Sequence, residues 1–107
     1  MKRKQTNLFS VLKTLRTRLS QAFHQDVPLI LFGSQARGEA TPDSDVDVLA
    51  ILPDLSPNSL SLALDIAWEI AFENGLVISI IPATQNEIEQ MNASPFFQSV
   101  KREGILI

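Results

Sequence analysis

Two short groups of residues have types and spacing suited to phosphate chemistry. Gly33-Ser34 stands at the end of one apolar run, and Asp45-Val46-Asp47 opens the next. A glycine there lets the chain turn sharply and lets a ligand approach the backbone closely. If Ser34 begins a helical turn, its hydroxyl and the next free amide groups form an anion site. Asp45 and Asp47 are two apart on an expected strand, so their side chains share one face. Carboxylates paired in this way can hold Mg²⁺, a hard cation that prefers oxygen and keeps substrate phosphates among its ligands. A phosphate cradle and a metal pair at the ends of adjacent strands suit phosphoryl or nucleotidyl transfer.

Two rival motifs use the same residues and fail. Gly33 and Gly38 have the glycine spacing of a P-loop, but Glu39-Ala40 stands where Lys and Ser or Thr are required. An acid at that point repels phosphate. Asp43-x-Asp45-x-Asp47 matches the opening of a calcium-binding EF-hand loop, which next needs glycine. The chain instead supplies Val48, inside the apolar run from Val46 to Leu52. A strand cannot serve as that loop.

The elements around these groups follow from periodicity. Leu8, Val11, Leu12, Leu15, Leu19, Ala22 and Phe23 recur at helical steps and predict a helix over 7–25. Val27 to Phe32 reads as a buried strand. Residues 33–44 form a loop with one helical turn at Gln35–Arg37, and Val46 to Leu52 is a second strand. A second helix is expected from Ser59 to Asn74, with Leu60, Leu64, Ala67, Ile70 and Ala71 inward and Gly75 as its stop. Leu76 to Ile81 is a third strand, closed by Pro82. Thr84 with Glu87 makes a capping box, and Ser94-Pro95 starts a last helix that stops at Gly104. Ile105 to Ile107 fit a short strand, paired within the chain or across a homo-oligomer. The expected fold is a single α/β (mixed α+β) domain over 1–107: a small mixed sheet with helices packed on it.

Composition narrows the function classes. A chain of 107 residues supports one core, and 45 % hydrophobic with 20 % charged residues is globular usage rather than disorder. With no cysteine and one histidine, His24, disulfides, thiol nucleophiles and multi-His metal sites are excluded. No apolar run reaches membrane-spanning length and the start does not read as a signal peptide, so the expected compartment is the cytoplasm, with no membrane partner. Lys2, Arg3, Lys4, Lys13, Arg16 and Arg18 precede the first acid, Asp26, in a chain of net charge −3. That basic segment suits a solvated helix face or an acidic partner. Direct nucleic-acid binding is not expected, since the remainder is acidic.

Gly33-Ser34, residues 35 to 44, then Asp45-Val46-Asp47 closely resembles the pattern of the minimal nucleotidyltransferase family, part of the DNA polymerase β-like superfamily. Ala36-Arg37-Gly38, Ser44 and the closing segment from Ser94-Pro95-Phe96-Phe97 to Gly104 carry the likeness across nearly the whole chain. The resemblance implies that Gly33 and Ser34 hold the nucleotide's phosphates and that Asp45 and Asp47 are catalytic ligands of two Mg²⁺ ions. Arg37 is expected either to neutralise phosphate or to pair with Glu39, Asp43 or another acid. The substrate implied is ATP or another NTP, with AMP moved to a hydroxyl of a small helical HEPN-type partner in a toxin–antitoxin pair.

One departure divides the functional reading. Active members carry a third carboxylate on a following strand, whereas Leu76 to Ile81 contains no acid, and Ser79 is its one polar side chain. Serine supplies neither the charge of a metal ligand nor a general base. Glu87 and Glu89 follow closely, but as helix-start residues they have an ordinary electrostatic role. The alternative to an enzyme is a nucleotide-binding or partner-binding antitoxin that acts by contact. Asp65, Glu69 and Glu73 form an acidic ridge expected to face solvent. Trp68 is assigned to core or interface, and Phe96 and Phe97 cannot both face inward.

Overall fold

The computed structural model describes residues 7–41 and 44–107. Lys2, Arg3 and Lys4 of the basic segment, and Asp43 as a partner for Arg37, lie outside the described residues. The first helix, α1 (Leu8–Phe23), starts where the Asn7 side chain accepts the Ser10 N–H, and ends on His24 in the left-handed conformation. Its apolar stripe of Val11, Leu12, Leu15 and Leu19 is buried. Each fully buried leucine contributes about 1.5–3 kcal/mol from lost apolar exposure.

The strands are β1 (Leu29–Phe32), β2 (Val46–Ile51), β3 (Ile78–Ala83) and β4 (Ile105–Leu106), in spatial order β3-β2-β1-β4. β1 runs antiparallel to β2 and β4, while β2 and β3 are parallel. The sheet is mixed, as expected, and the closing residues pair within the chain. β1 is shorter than its apolar run because the Val27 N–H donates to the Ser20 hydroxyl and Pro28 has no N–H to give.

The helix α3 (Pro57–Glu73) corrects two expectations. It begins two residues earlier than Ser59, at Pro57 behind the N-cap Ser56. Its buried stripe is Ala63, Ile66, Ala67, Ile70 and Ala71, so Leu64 faces outward. The segment is apolar on more than one side, and the sheet takes the side that carries the small residues Ala63, Ala67 and Ala71. Together α1 and α3 cover one face of the sheet, against Leu29, Leu31, Val46, Val48 and Ala50.

The other face carries Ile30, Phe32, Leu49 and Ala83, covered by Phe97 and Val100 of α5 (Pro95–Glu103) and Ile88 of α4 (Gln85–Gln90). The expected capping box of Thr84 and Glu87 is formed. Phe97 turns inward, and Phe96 lies exposed against Phe32.

Pro82 does not close β3, which runs through it to Ala83. The Val46 N–H donates to Val77 O and the Leu52 N–H to Ala83 O. Backbone groups alternate sides along a strand, so the place of Pro82's missing N–H falls on the outer side of an edge strand. No ladder bond is lost there. No helix among the described residues is long and apolar enough to cross a membrane.

Candidate nucleotidyl-transfer site

Antiparallel pairing sets the end of β1 beside the start of β2, and the parallel β3 begins at that same end. Gly33 follows β1 directly, with φ 74° and ψ −156°, a conformation open essentially to glycine alone. It is the N-cap of a single-turn helix, α2 (Ser34–Arg37), one residue longer than the turn expected at Gln35–Arg37. The Ala36 and Arg37 N–H groups both donate to the Gly33 carbonyl. The Ser34 and Gln35 amides carry no partner among the described residues. Ser34 and these amides therefore present donors at the loop, the arrangement an anion needs.

Asp45 stands just before β2, exposed, and Asp47 is the second residue of β2, half-buried. Asp47 lies opposite Phe32 of β1 and in register with Ser79 of β3. A Cβ on residue 33 would stand 2.5 Å from Asp47 Oδ2, so glycine is required by space as well as by backbone angle. Desolvation pushes the Asp47 carboxyl above its ordinary range, the Asp45 charge adds to that, and Arg37 partly offsets it. The Asp45 and Asp47 charges oppose each other, and a cation shared by the pair would relieve that. Among the described residues no cluster of three His, Cys, Asp or Glu side chains surrounds them. The donor set is an all-oxygen pair open to solvent, which fits a Mg²⁺-type ion whose remaining ligands come from water and phosphate.

Arg37 is held by two acids. Its Nη1 lies 3.3 Å from Glu103 Oε2, and its Nε lies 3.4 Å from Glu39 Oε2. Hydrogen bonds to Glu103 first and Glu39 second raise its pKa further above an already high value. The expected pairing with Glu39 is present. Glu103, 66 residues away, had no local signal in the sequence. Arg37 stays exposed and close enough to Asp47 to act on its charge.

The structure thus brings Gly33, Ser34, Arg37, Asp45 and Asp47 to one end of the sheet. Ser79 joins them at the position where an acid was sought. Glu87 is committed to the capping box at Thr84. Sequence reasoning missed Phe32 and Phe96, whose rings meet edge-on with centroids 5.5 Å apart beside Asp47. The one signal was the place of Phe32, directly before Gly33.

The model of the nucleotidyltransferase domain family matches residues 12–105. The chain belongs to that family. Its relatives include "Putative protein adenylyltransferase MJ1305" of Methanocaldococcus jannaschii, 32 % identical over 82 % of this chain and 63 % of that protein. A second protein of that organism, "Putative protein adenylyltransferase MJ0604", is 32 % identical over 71 % of this chain and 72 % of its own length. The bifunctional uridylyltransferase/uridylyl-removing enzyme of Aromatoleum aromaticum is 35 % identical over 63 % of this chain, which spans only 9 % of that enzyme.

These matches fit the minimal nucleotidyltransferase reading within the DNA polymerase β-like superfamily. Solved structures share the nucleotidyltransferase fold. A toxin–antitoxin crystallised with AMP-PNP superposes with a TM-score of 0.57 at 17 % identity, over 88 % of this chain and 70 % of that one. A mutant of the toxin–antitoxin MntA-HpeT gives 0.58 at 16 % identity, over 94 % and 72 %.

Proposed function

We propose that this nucleotidyltransferase domain transfers a nucleoside monophosphate, AMP from ATP, to a hydroxyl of a partner protein. The observation that carries the reading is the close packing of Gly33 against Asp47, which joins a phosphate-binding turn to a carboxylate pair in one site. Ser34 and the free amides of α2 bind the terminal phosphates, and Arg37 offsets their charge. Asp45 and Asp47 hold Mg²⁺, which supplies neutralisation of the triphosphate when bound. The acceptor oxygen bonds to the α-phosphorus as the bond to the β-phosphate bridge breaks, pyrophosphate leaves and the hydroxyl proton passes to water. The protein adenylyltransferase names of the two archaeal relatives support AMP and a protein acceptor. The toxin–antitoxin neighbours support a toxin partner, for which a small helical HEPN-type protein in the cytoplasm is the proposed identity.

A second reading rests on Ser79. It is an uncharged hydroxyl in register with Asp47, on the strand where the resemblance leads one to expect an acid. On that reading the chain binds nucleotide and neutralises its partner by contact, with little turnover. Incubation with labelled ATP, Mg²⁺ and the product of the neighbouring gene separates the two. Label on the neighbour that disappears when Asp45 and Asp47 are both changed to Asn supports transfer. Tight binding without label, unchanged in that variant, overturns it.

A further inference from the structure

We propose that the outer edge of β3, roofed by an exposed aromatic face of α3, is a docking groove for an extended, basic segment of a partner protein. The groove, of about 660 Å³, is lined by Leu64, Asp65, Trp68 and Phe72 of α3 and by residues 76–80. Leu64, Trp68 and Phe72 recur every fourth residue and are 51 %, 68 % and 73 % exposed. The rings of Trp68 and Phe72 stack at 5.3 Å with 13° between their planes. Such large apolar side chains gathered on one helix face mark an interaction surface.

The strand beneath says what covers it. The bonds from Val46 N–H to Val77 O and from Leu52 N–H to Ala83 O turn the backbone of the odd-numbered β3 residues toward β2. Ile78 and Ile80 therefore offer their N–H and C=O groups outward, with no further strand beside them among the described residues. Alternating donors and acceptors at strand spacing are matched by an extended polypeptide and not by a helix or a lipid. Pro82 ends the register on one side, since it has no outward N–H to give. A strand added beside β3 would run beneath Trp68 and Phe72, which supply pockets for its apolar side chains.

Charge selects the partner. Among the described residues the one charged side chain lining the groove is Asp65, on α3. No basic side chain among the described residues lines the groove. A second copy of this chain fits poorly, because its β3 carries no basic residue to meet Asp65. An extended segment whose every second residue, apolar or Lys/Arg, turns to the α3 side satisfies both the pockets and Asp65. The proposal is independent of nucleotide transfer.

Trp68 is the single tryptophan, so its emission reports the groove directly. Phage-displayed random peptides of about ten residues, enough for one strand, are panned on the protein and the enriched sequences synthesised. The expected peptides carry apolar residues and a Lys or Arg two positions apart, on one strand face, and shift the Trp68 emission to the blue. N-methylation of alternate peptide amides abolishes binding. Asp65→Lys weakens binding roughly tenfold. Phe72→Ala, which keeps the reporter, weakens it more than about 30-fold. Circular dichroism confirms that both variants fold. Peptides that bind without moving the emission, or after N-methylation in both registers, overturn the proposal. So does failure to enrich any peptide, or a dimer by sedimentation whose Trp68 is already shielded.

Discussion

Gly33 and Asp47 are so close that a side chain on the first excludes the carboxylate of the second: a Cβ at 33 would lie 2.5 Å from Asp47 Oδ2. The phosphate turn and the carboxylate pair are therefore one unit, although 14 positions separate these two residues. Gly33→Ala must either displace Asp47 or leave the φ 74° conformation that starts α2. The expected cost is about 2 kcal/mol of folding stability, read from urea denaturation. AMP transfer falls about 100-fold, because a displacement near 1 Å is enough to misalign reacting groups. Loss of stability with full transfer would separate the turn from the chemistry.

Asp47→Asn makes the metal-free protein more stable at neutral pH. The folded chain holds the Asp47 proton more tightly than the unfolded chain does, through desolvation and the Asp45 charge. Between the two pKa values the folded state binds more protons, so stability falls as pH rises through that window. The gain in melting temperature in EDTA should be present at pH 7 and gone by about pH 3, where Asp47 is protonated in both states. Adding MgCl₂ raises the melting temperature of the native protein and not that of the variant. A variant less stable than the native protein in EDTA at pH 7 contradicts the strain inferred at this pair.

Arg37→Ala distinguishes a phosphate ligand from a surface strut. Its pairs with Glu39 and Glu103 are exposed, so their loss leaves the melting temperature nearly unchanged. The KM for ATP rises roughly tenfold if the guanidinium also meets phosphate. Glu103→Gln frees Arg37 from one competitor and lowers that KM. Steady-state kinetics on both variants reads the difference, and equal KM values for the three proteins would assign Arg37 to the surface alone.

Local signals made much of this legible. Thr84 with Glu87 and Ser94-Pro95 start helices as their side chains dictate, Gly104 ends one, and Gly33 and the Asp45–Asp47 pair meet because two short strands join them. What failed was whatever a neighbour decides. Pro82 reads as a stop until β3 is known to be an edge strand, where its missing N–H points away from β2. Leu64 looks like core until the sheet takes the Ala63–Ala67–Ile70 side of α3. The acidic ridge of Asp65, Glu69 and Glu73 divides, since Glu69 reaches Arg18 of α1 at 3.1 Å while Asp65 lines the β3 groove. Glu103 finds Arg37 only because α5 returns across β1. None of these pairings leaves a trace in spacing.

Ser79→Asp tests whether the missing acid limits the reaction. Parallel register sets Ser79 directly beside Asp47, and alternation along the strands turns both side chains to the same face. A carboxylate there adds a third oxygen ligand and a base for the acceptor hydroxyl, so labelled AMP transfer to the partner rises by about 100-fold or more. The third negative charge also pushes the Asp47 carboxyl further up, so the variant melts lower in EDTA than the native protein, and Mg²⁺ reverses the loss. Ser79→Asn matches aspartate in size without its charge and gains nothing. Mn²⁺ titration by calorimetry gives a second readout, with tighter binding only in Ser79→Asp. If neither transfer nor Mn²⁺ affinity increases, Ser79 does not stand in the place of the absent carboxylate, and the case for action by contact loses its main support.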